Sequence, residues 1–368
     1  NMSENAKLPP LPTGTFAERA IVWSKKNLFD GWFNTILTLG SIAFLFWLIP
    51  PIVEWAIVNA TLSPTIEGCA EASGACWGFV NANLRLILFG TYPFDEQWRP
   101  LLAMILLMGI ICGSLGGVKY PGMRKAIIPM WVIGVPIIAI LMWGGVFGLT
   151  YVQNSYWGGL PLTLILSSIG VIFAFPFGLL LALGRQSHMP AIKTVSVVYI
   201  EVIRGVPLIT VLFMASVMFP LFLPDGVTID KLLRAQIGII LFTAAYLAEV
   251  FRGGLQAVPR GQFEAGDSLA LSYWQSMRLI ILPQALRLVI PPTVNSFISM
   301  FKDTTLVVII GLFDFLGTVK LALRSDPAWT KYYVEGYAFA AAIFFLICFS
   351  MAKYSAYLEK ELRKGEQR

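Results

Sequence analysis

The feature that most constrains this chain is the recurrence of apolar runs long enough to cross a bilayer. A helix rises about 1.5 Å per residue, so about 20 apolar residues span the hydrocarbon core. Composition agrees, since 57% of residues are hydrophobic and only 13% are charged, against roughly a quarter charged in soluble proteins. We therefore predict an all-α polytopic membrane protein with about eight transmembrane helices. The apolar runs lie at 33–57, 100–118, 126–150, 160–184, 195–219, 235–251, 286–312 and 336–352.

Lysine and arginine residues flank these runs in a pattern that predicts the topology. Cytoplasmic loops of membrane proteins are enriched in both residue types. The rule predicts a cytoplasmic N-terminal segment at 1–32, a periplasmic loop at about 58–99 and a cytoplasmic tail at 359–368, with both termini inside. The net charge of +6 then reflects topology and gives no reason to expect nucleic acid as a partner. The flanking residues are Lys25, Lys26, Lys119, Arg124, Lys125, Arg185, Lys193, Arg252, Arg260, Arg278, Lys353 and Lys360.

The four cysteines divide between loop and span. Cys69 and Cys76 fall in the loop predicted to be periplasmic, where an oxidising compartment would let them form a disulfide; two free thiols are the alternative. Cys112 and Cys348 lie within apolar runs and suit packing. The only histidine is His188, in a different loop, so we expect no metal site.

A polar, helix-forming insert separates two apolar runs at residues 262–283. Ser272 and Gln275 have the spacing of a capping box, which predicts a short helix, a bend and a second short helix that stops before Pro283. Phe263, Gly266 and Ala270 are expected to share one face, where a ring beside two small residues suits docking into a protein groove. An amphipathic helix lying on lipid is the alternative.

The insert resembles the coupling loop of ABC-importer permeases, which carries force from an ATPase into the membrane. Glu264, Ala265, Ile280, Leu282 and Pro283 match that family's pattern, whereas Gly266 and Ala270 depart from it. An alanine in a left-handed turn costs about 1 to 2 kcal/mol, so we expect the bend one or two residues after Ala270. Further stretches typical of the polar-amino-acid branch occur at 161–164, 199–208, 249–254, 282–287 and 301–306.

The resemblance implies a division of the chain. Residues 159–358 correspond to the five-helix core of a type I ABC importer permease, with its coupling loop at 259–285. The first three spans, at 33–158, look like the N-terminal extension of the M-type permease subunit of bacterial general L-amino-acid importers. We expect that extension to act as a scaffold.

The function implied is translocation of L-amino acids across the bacterial inner membrane by alternating access, without covalent chemistry or catalytic residues in this chain. The implied partners are a second similar permease subunit forming a heterodimer, two ABC ATPase subunits, a periplasmic amino-acid-binding protein and membrane lipid. The sequence contains no Walker phosphate-binding loop, so ATP and Mg belong to the ATPase subunits. The alternatives are an ion-coupled secondary amino-acid transporter, which usually contains an inverted repeat, and a membrane scaffold without transport.

Ionisable residues in the spans are candidates for structural or gating roles. Glu201 with Arg204, and Glu249 with Arg252, have the i, i+3 spacing that lets them neutralise each other. Lys302 and Asp303 point in different directions around their helix and are expected to have separate partners.

Neutral polar residues on the seventh apolar run are the candidates for a substrate pathway. Thr293, Asn295, Ser296 and Ser299 recur at close to helical spacing, which suits the lining of a cavity that handles the zwitterionic head group of an amino acid. The alternative is that these hydroxyls bond their own backbone or join helices.

Overall fold

The computed structural model describes residues 15–224 and 226–364. The chain forms two compact units, Asn1–Gly78 and Phe79–Arg368. The boundary between them lies inside the predicted N-terminal extension.

The first unit contains one long apolar helix with short elements on either side. Helix α1 is Phe16–Asn27, α2 is Trp32–Val53 followed by a π-helical segment at Glu54–Val58, and α3 is Ile66–Ala70. Helix α2 buries no residue, and its apolar side chains are exposed along its length. Such a surface is stable only in contact with lipid or with another protein.

Residues 59–77 form a small folded segment in which Cys69 and Cys76 are paired. Their Cα atoms are 5.4 Å apart, a usual separation for a disulfide. Thr61 N–H donates to the Ala75 carbonyl at 2.9 Å, and the Trp77 ring N–H donates to the Ala56 carbonyl at 2.8 Å.

We expect mass spectrometry of protein alkylated without reductant to find Cys69 and Cys76 unmodified and linked, because the surrounding hydrogen bonds hold the two residues together. Cys112 is exposed and unpaired, so its alkylation in denaturant is the internal control. Recovery of alkylated Cys69 and Cys76 from membrane-derived protein would contradict the pairing.

The second unit is almost entirely helical. Its helices are α4 (Gly78–Phe89), α5 (Trp98–Lys119), α6 (Arg124–Trp143), α7 (Gly159–Arg185), α8 (Pro190–Gly205), α9 (Leu208–Phe213), α10 (Lys231–Ala257), α11 (Arg260–Ser268), α12 (Tyr273–Ser276), α13 (Leu282–Asp303), α14 (Phe315–Ser325) and α15 (Tyr333–Lys364). A two-residue strand, Phe313–Asp314, is bridged to Gly158 and Gly159.

Within the described ranges, seven helices are long and apolar enough to span a membrane, and a bent pair brings the number to eight. The predicted count of about eight is therefore confirmed if the bent pair crosses as one span. The fifth apolar run is not one straight helix: Pro190–Gly205 and Leu208–Phe222 meet at 104°. Pro207 disfavours helical geometry at the preceding residue, and Val206 is extended accordingly.

The third span is shorter than its apolar run. Helix α6 ends at Trp143, and the next residue, Gly144, has a φ of +67°. Apolar residues continue to residue 150, but the helix does not, because residues 144–148 form a glycine-rich loop. Apolar composition alone does not reveal that boundary.

A buried arginine closes this loop against α5. The Arg99 side chain is fully buried, and it donates to the carbonyls of Leu141 at 2.7 Å and Thr150 at 2.9 Å. Glu96 lies 3.5 Å from the guanidinium. The carbonyl of Leu141 is in the last turn of α6, where a positive charge interacts favourably with the helix dipole. Arg99 therefore fixes the first turn of α5 to the end of α6.

Two apolar clusters make up the core of the second unit. One joins α5 and α6 to α7 and α13, with Leu107, Ile138 and Leu166 among its buried members. The other joins α7, α8, α10 and the start of α13. Gly178 on α7 lets α10 approach closely, since a Cβ at that position would lie 2.8 Å from the Leu247 side chain.

Buried polar groups fix α14 against the start of α7. Asp314 caps α14 by accepting from the Gly317 N–H at 2.9 Å, and Thr163 accepts from the Phe315 N–H at 2.9 Å. Burial raises the pKa of Asp314 to about 6, although the hydrogen bonds that its carboxylate accepts from backbone N–H groups lower that pKa. Thr318 donates to the Ile87 carbonyl at 2.7 Å, which attaches α4 to the same place.

Candidate functional site

The polar insert between α10 and α13 forms a helix, a bend and a second helix. Helix α11 begins after Pro259, and α12 begins after Ser272. The predicted capping box is present: the Gln275 side chain accepts from the Ser272 N–H at 2.9 Å. We call residues 260–281 the α11–α12 loop.

The bend occurs at Ala270 itself and not after it. Ala270 has a φ of +52°, and it occupies the left-handed position that follows a helix in a Schellman motif. The Leu271 N–H donates to the Gly266 carbonyl at 3.2 Å and the Ala270 N–H to the Asp267 carbonyl at 2.9 Å, as that motif requires. The expectation of a later bend was wrong, because two terminal hydrogen bonds offset the strain of an alanine in this conformation.

We expect Ala270→Gly to raise the free energy of unfolding by up to about 1 kcal/mol, because glycine adopts positive φ without the steric penalty. Gly266→Ala should act in the opposite direction, since its Cβ would lie 2.5 Å from the Ser276 Oγ. Thermal unfolding of the two purified variants, compared with the parent, measures both effects. A loss of stability in Ala270→Gly would contradict this account of the bend.

Phe263 and Gly266 do not face outward as expected. Gly266 is buried against Ser276 and Ile280 of the same loop, and Phe263 is half-buried against the apolar cluster of α7, α8 and α10. Gly266 therefore packs α11 against the rest of the loop, and Phe263 packs the loop against α7, α8 and α10. Of the predicted docking face, only Ala270 is exposed.

The outward surface of the loop consists of other residues. Glu264 and Ala265 are exposed on α11, Leu269 is 69% exposed at the bend, and Trp274 is 65% exposed on α12. The Trp274 ring packs edge-on against Tyr273, with centroids 5.4 Å apart. We call Leu269, Tyr273 and Trp274 the loop tip. Sequence reasoning missed it, although three large apolar residues in a polar insert were a usable signal.

The second helix does not end before Pro283, contrary to the prediction from the sequence. It continues helically through a π-helical segment at Met277–Ile281 into α13, where Pro283 lies in the first turn. The π-helical segment directly before Pro283 lets the helix continue through a residue that lacks an N–H, because local π adjustments accommodate proline in membrane helices. Leu282 packs against the apolar cluster while Pro283 is exposed. The α11–α12 loop is therefore joined to α13 without a flexible link.

Five charged residues from three helices form a network near the α11–α12 loop. Glu249 lies 2.9 Å from Arg185, 2.8 Å from Arg252 and 3.7 Å from Arg204, and its side chain is 15% exposed. The predicted Glu249–Arg252 pair is present. Glu201 pairs instead with Arg185 at 2.9 Å, so Glu201 and Arg204 have different partners, because α7 and α10 bring opposite charges closer than the i+3 neighbour does.

The polar residues of α13 differ in burial. Thr293 is buried, and its hydroxyl has no hydrogen-bond partner in the described part of the chain. Ser296 donates to the Pro292 carbonyl at 3.1 Å, as the alternative interpretation expected. Asn295 and Ser299 are exposed and lie one turn apart. Only these two point away from the chain.

Lys302 and Asp303 follow on the same helix. Lys302 is exposed and Asp303 half-buried. Among residues 15–224 and 226–364, neither has an oppositely charged side chain within 4.0 Å to form an ion pair. An exposed ammonium near Asn295 and Ser299 is costly against hydrocarbon, so this side of α13 requires water or a polar protein surface.

A bundle of apolar spans, with a polar loop rigidly joined to one of them, is the architecture of a polytopic membrane protein. The chain belongs to the family of binding-protein-dependent transport system inner membrane components, whose model matches residues 174–364. It is a multi-pass membrane protein of that family, and the match begins within α7, so it covers the helices that carry the loop and the charge network.

Two relatives extend the similarity to the whole chain. The inner membrane amino-acid ABC transporter permease protein YhdY of Escherichia coli is 51% identical over 359 residues, which covers 97% of both chains. The glutamate/glutamine/aspartate/asparagine transport system permease protein BztC of Rhodobacter capsulatus is 38% identical over 426 residues, covering 98% of both. A chain in the crystal structure of an amino acid ABC transporter with histidines aligns with a TM-score of 0.50 and 33% identity, over 55% of this chain and 92% of that one.

Proposed function

We propose that this chain is a permease subunit of an ABC importer that carries L-amino acids across the inner membrane. The observation that carries the proposal is end-to-end similarity to a permease named for amino-acid ABC transport, at 51% identity over 97% of both chains. The matching crystal structure is also of an amino acid ABC transporter. Transport then proceeds by alternating access, with ATP and Mg bound by partner ATPase subunits.

The α11–α12 loop is the contact with the ATPase in this proposal. A subunit that binds no nucleotide must receive mechanical work through a contact that moves as a rigid body. The buried Gly266, the half-buried Phe263 and the helical continuity into α13 give the loop that rigidity. The loop tip supplies exposed apolar area, and Glu264 supplies a carboxylate for charge-assisted hydrogen bonds.

The exposed polar side of α13 faces a second, similar permease subunit across a substrate pathway. Asn295 and Ser299 point away from this chain, and Lys302 and Asp303 continue the polar surface toward the end of α13. A second subunit with its own polar helix would enclose a wet path between the two. The heterodimer is the arrangement that we propose.

We expect the double variant Asn295→Leu with Ser299→Leu to lower amino-acid uptake by at least tenfold, because both substitutions replace hydrogen-bonding groups in the proposed pathway by apolar ones. Ser296→Ala is the matched control and should leave uptake nearly unchanged, since its hydroxyl already bonds the Pro292 carbonyl. Normal uptake of every amino acid by the double variant would show that Asn295 and Ser299 do not line the pathway.

The proposed topology places the α11–α12 loop, both termini and the charge network on the cytoplasmic side. The Cys69–Cys76 segment then lies in the periplasm, where the amino-acid-binding protein docks. Along the sequence, an extension at 33–158 that contains α2, α5 and α6 precedes a core at 159–358. Burial of α5 and α6 against α7 supports a scaffolding role for those two helices.

Uptake by purified complex in proteoliposomes tests the function. Radiolabelled amino acids should accumulate only when the permease pair, the ATPase, the binding protein and enclosed ATP are all present. Uptake by this chain alone, driven by a sodium or proton gradient, would replace the proposal with the ion-coupled secondary carrier. Complete complex that hydrolyses ATP without accumulating any amino acid would refute the substrate class.

A further inference from the structure

Helix α1 lies directly before the first apolar span and is stabilised by local interactions. Its capping box joins Thr15 and Glu18: the Thr15 N–H donates to the Glu18 carboxylate at 2.8 Å. Lys25 and Lys26 occupy the last turn, where positive charge opposes the helix dipole. Helix α1 therefore has its own start and stop signals and does not depend on packing against the rest of its unit.

The two sides of α1 differ in chemistry. Successive residues are about 100° apart around a helix, so Ala17, Ala20 and Ile21 fall on one side and Glu18 and Lys26 on the other. Ile21 is 66% exposed, and Ala17 and Ala20 are exposed beside it. Nothing in the described chain covers this apolar side.

The connection from α1 to α2 is short and pinned. Only residues 28–31 separate the two helices. Thr38, in the second turn of α2, donates to the Leu28 carbonyl at 2.7 Å, and Asn34 donates to the Asp30 carbonyl at 2.9 Å. Because these bonds tie the connection to the first turns of the apolar span, α1 stays at the level where that span enters the bilayer.

Side chains at this level have the composition of a membrane interface. Phe29, Trp32 and Phe33 are all exposed around the connection, and aromatic residues are enriched where spans cross the headgroup region. Lys25 and Lys26 are exposed beside them and are complementary to anionic headgroups. A bilayer is already within reach of α1, since α2 crosses it.

We propose that α1 lies in the plane of the membrane interface, with Ala20 and Ile21 toward the acyl chains and Lys25 and Lys26 contacting anionic phospholipid headgroups. An amphipathic helix with basic residues on its polar side binds lipid through both terms at once. Helix α1 is then an interfacial anchor.

Lipid quenching of a single fluorophore tests the placement in the full-length protein. In a background with Cys112→Ser and Cys348→Ser, an environment-sensitive dye is attached to Ala20→Cys or, as the matched control on the opposite side, to Glu18→Cys. Both proteins are placed in nanodiscs containing phosphatidylglycerol, with or without brominated acyl chains. We expect blue-shifted emission and at least twofold stronger quenching by brominated lipid for the Ala20 label than for the Glu18 label.

The lipid charge dependence completes the test. Lys25→Gln with Lys26→Gln should reduce quenching of the Ala20 label in phosphatidylglycerol nanodiscs and leave it unchanged in phosphatidylcholine alone. Water-exposed emission from both labels would overturn the proposal, because α1 would then lie outside the bilayer. Blue-shifted emission at Ala20 without bromine quenching would also overturn it, since a protein surface and not lipid would cover the helix. Size-exclusion profiles that match the parent establish that each variant is folded.

Discussion

Glu249→Gln is expected to destabilise the permease strongly and to reduce transport at least tenfold. The parent carboxylate lies within 3.7 Å of Arg185, Arg204 and Arg252, and a neutral amide leaves these three guanidinium groups around one site without that charge. Removing one partner of a buried ion pair costs about 3 to 5 kcal/mol, and partial exposure lowers this to about 2 kcal/mol. Thermal unfolding of the purified protein and uptake in proteoliposomes measure the two effects.

Glu201→Gln is the matched control, because it makes the same chemical change in the same network. Its side chain is 56% exposed, and its one ion pair among the described residues is with Arg185, so the loss in the free energy of unfolding should stay below about 0.5 kcal/mol. Adding Arg204→Gln to Glu249→Gln should recover part of the loss by removing one uncompensated charge. Equal losses in the two glutamate variants, or no recovery in the double variant, would mean that Glu249 does not organise the network.

Leu269→Ala with Trp274→Ala is expected to weaken binding of the ATPase subunit by about 100-fold. The two residues are the most exposed of the loop tip, and the minority of interface residues that act as anchors cost more than about 1 kcal/mol each when truncated. Because 1.4 kcal/mol corresponds to a tenfold change in affinity, two such anchors give the expected factor. Copurification with the ATPase and titration by surface plasmon resonance measure the loss.

Leu288→Ala provides a matched control for the leucine, since Leu288 is 48% exposed but lies on α13, outside the α11–α12 loop. It should leave ATPase binding unchanged. Gly266→Leu should also lose the ATPase, but with reduced stability of the permease alone, because its side chain would collide with Ser276. Retained binding in the Leu269 and Trp274 double variant would locate the contact elsewhere on the chain.

Apolar run length predicted the spans well, because a helix in hydrocarbon must satisfy its backbone internally and needs about 20 residues to cross. The same argument did not predict where helices bend or end inside an apolar run. Pro207 turns the fifth run through 104°, whereas Pro176 remains inside α7. Whether a proline interrupts a helix depends on how neighbouring helices pack against it.

The α11–α12 loop shows a similar division. Its helices and its capping box followed from local residue types, since a cap needs only a side chain three residues away. Local reasoning placed the bend too late, because the intrinsic cost of a left-handed alanine did not include the two hydrogen bonds that close the helix at Ala270. The sequence also predicted that Phe263 and Gly266 lie on an outward docking face. That prediction failed because helical spacing indicates which residues share a face and not what the face contacts.

By itself, the sequence determined the class of fold, the approximate spans, the polar loop and the residues that carry charge. Those properties depend on hydrophobicity and on spacing along the chain. Only the tertiary structure decided the partners: Glu201 with Arg185 across two helices, and the buried Arg99 between α5 and the end of α6. Contacts between residues distant in sequence arise when helices pack, and no local pattern encodes which groups packing brings together.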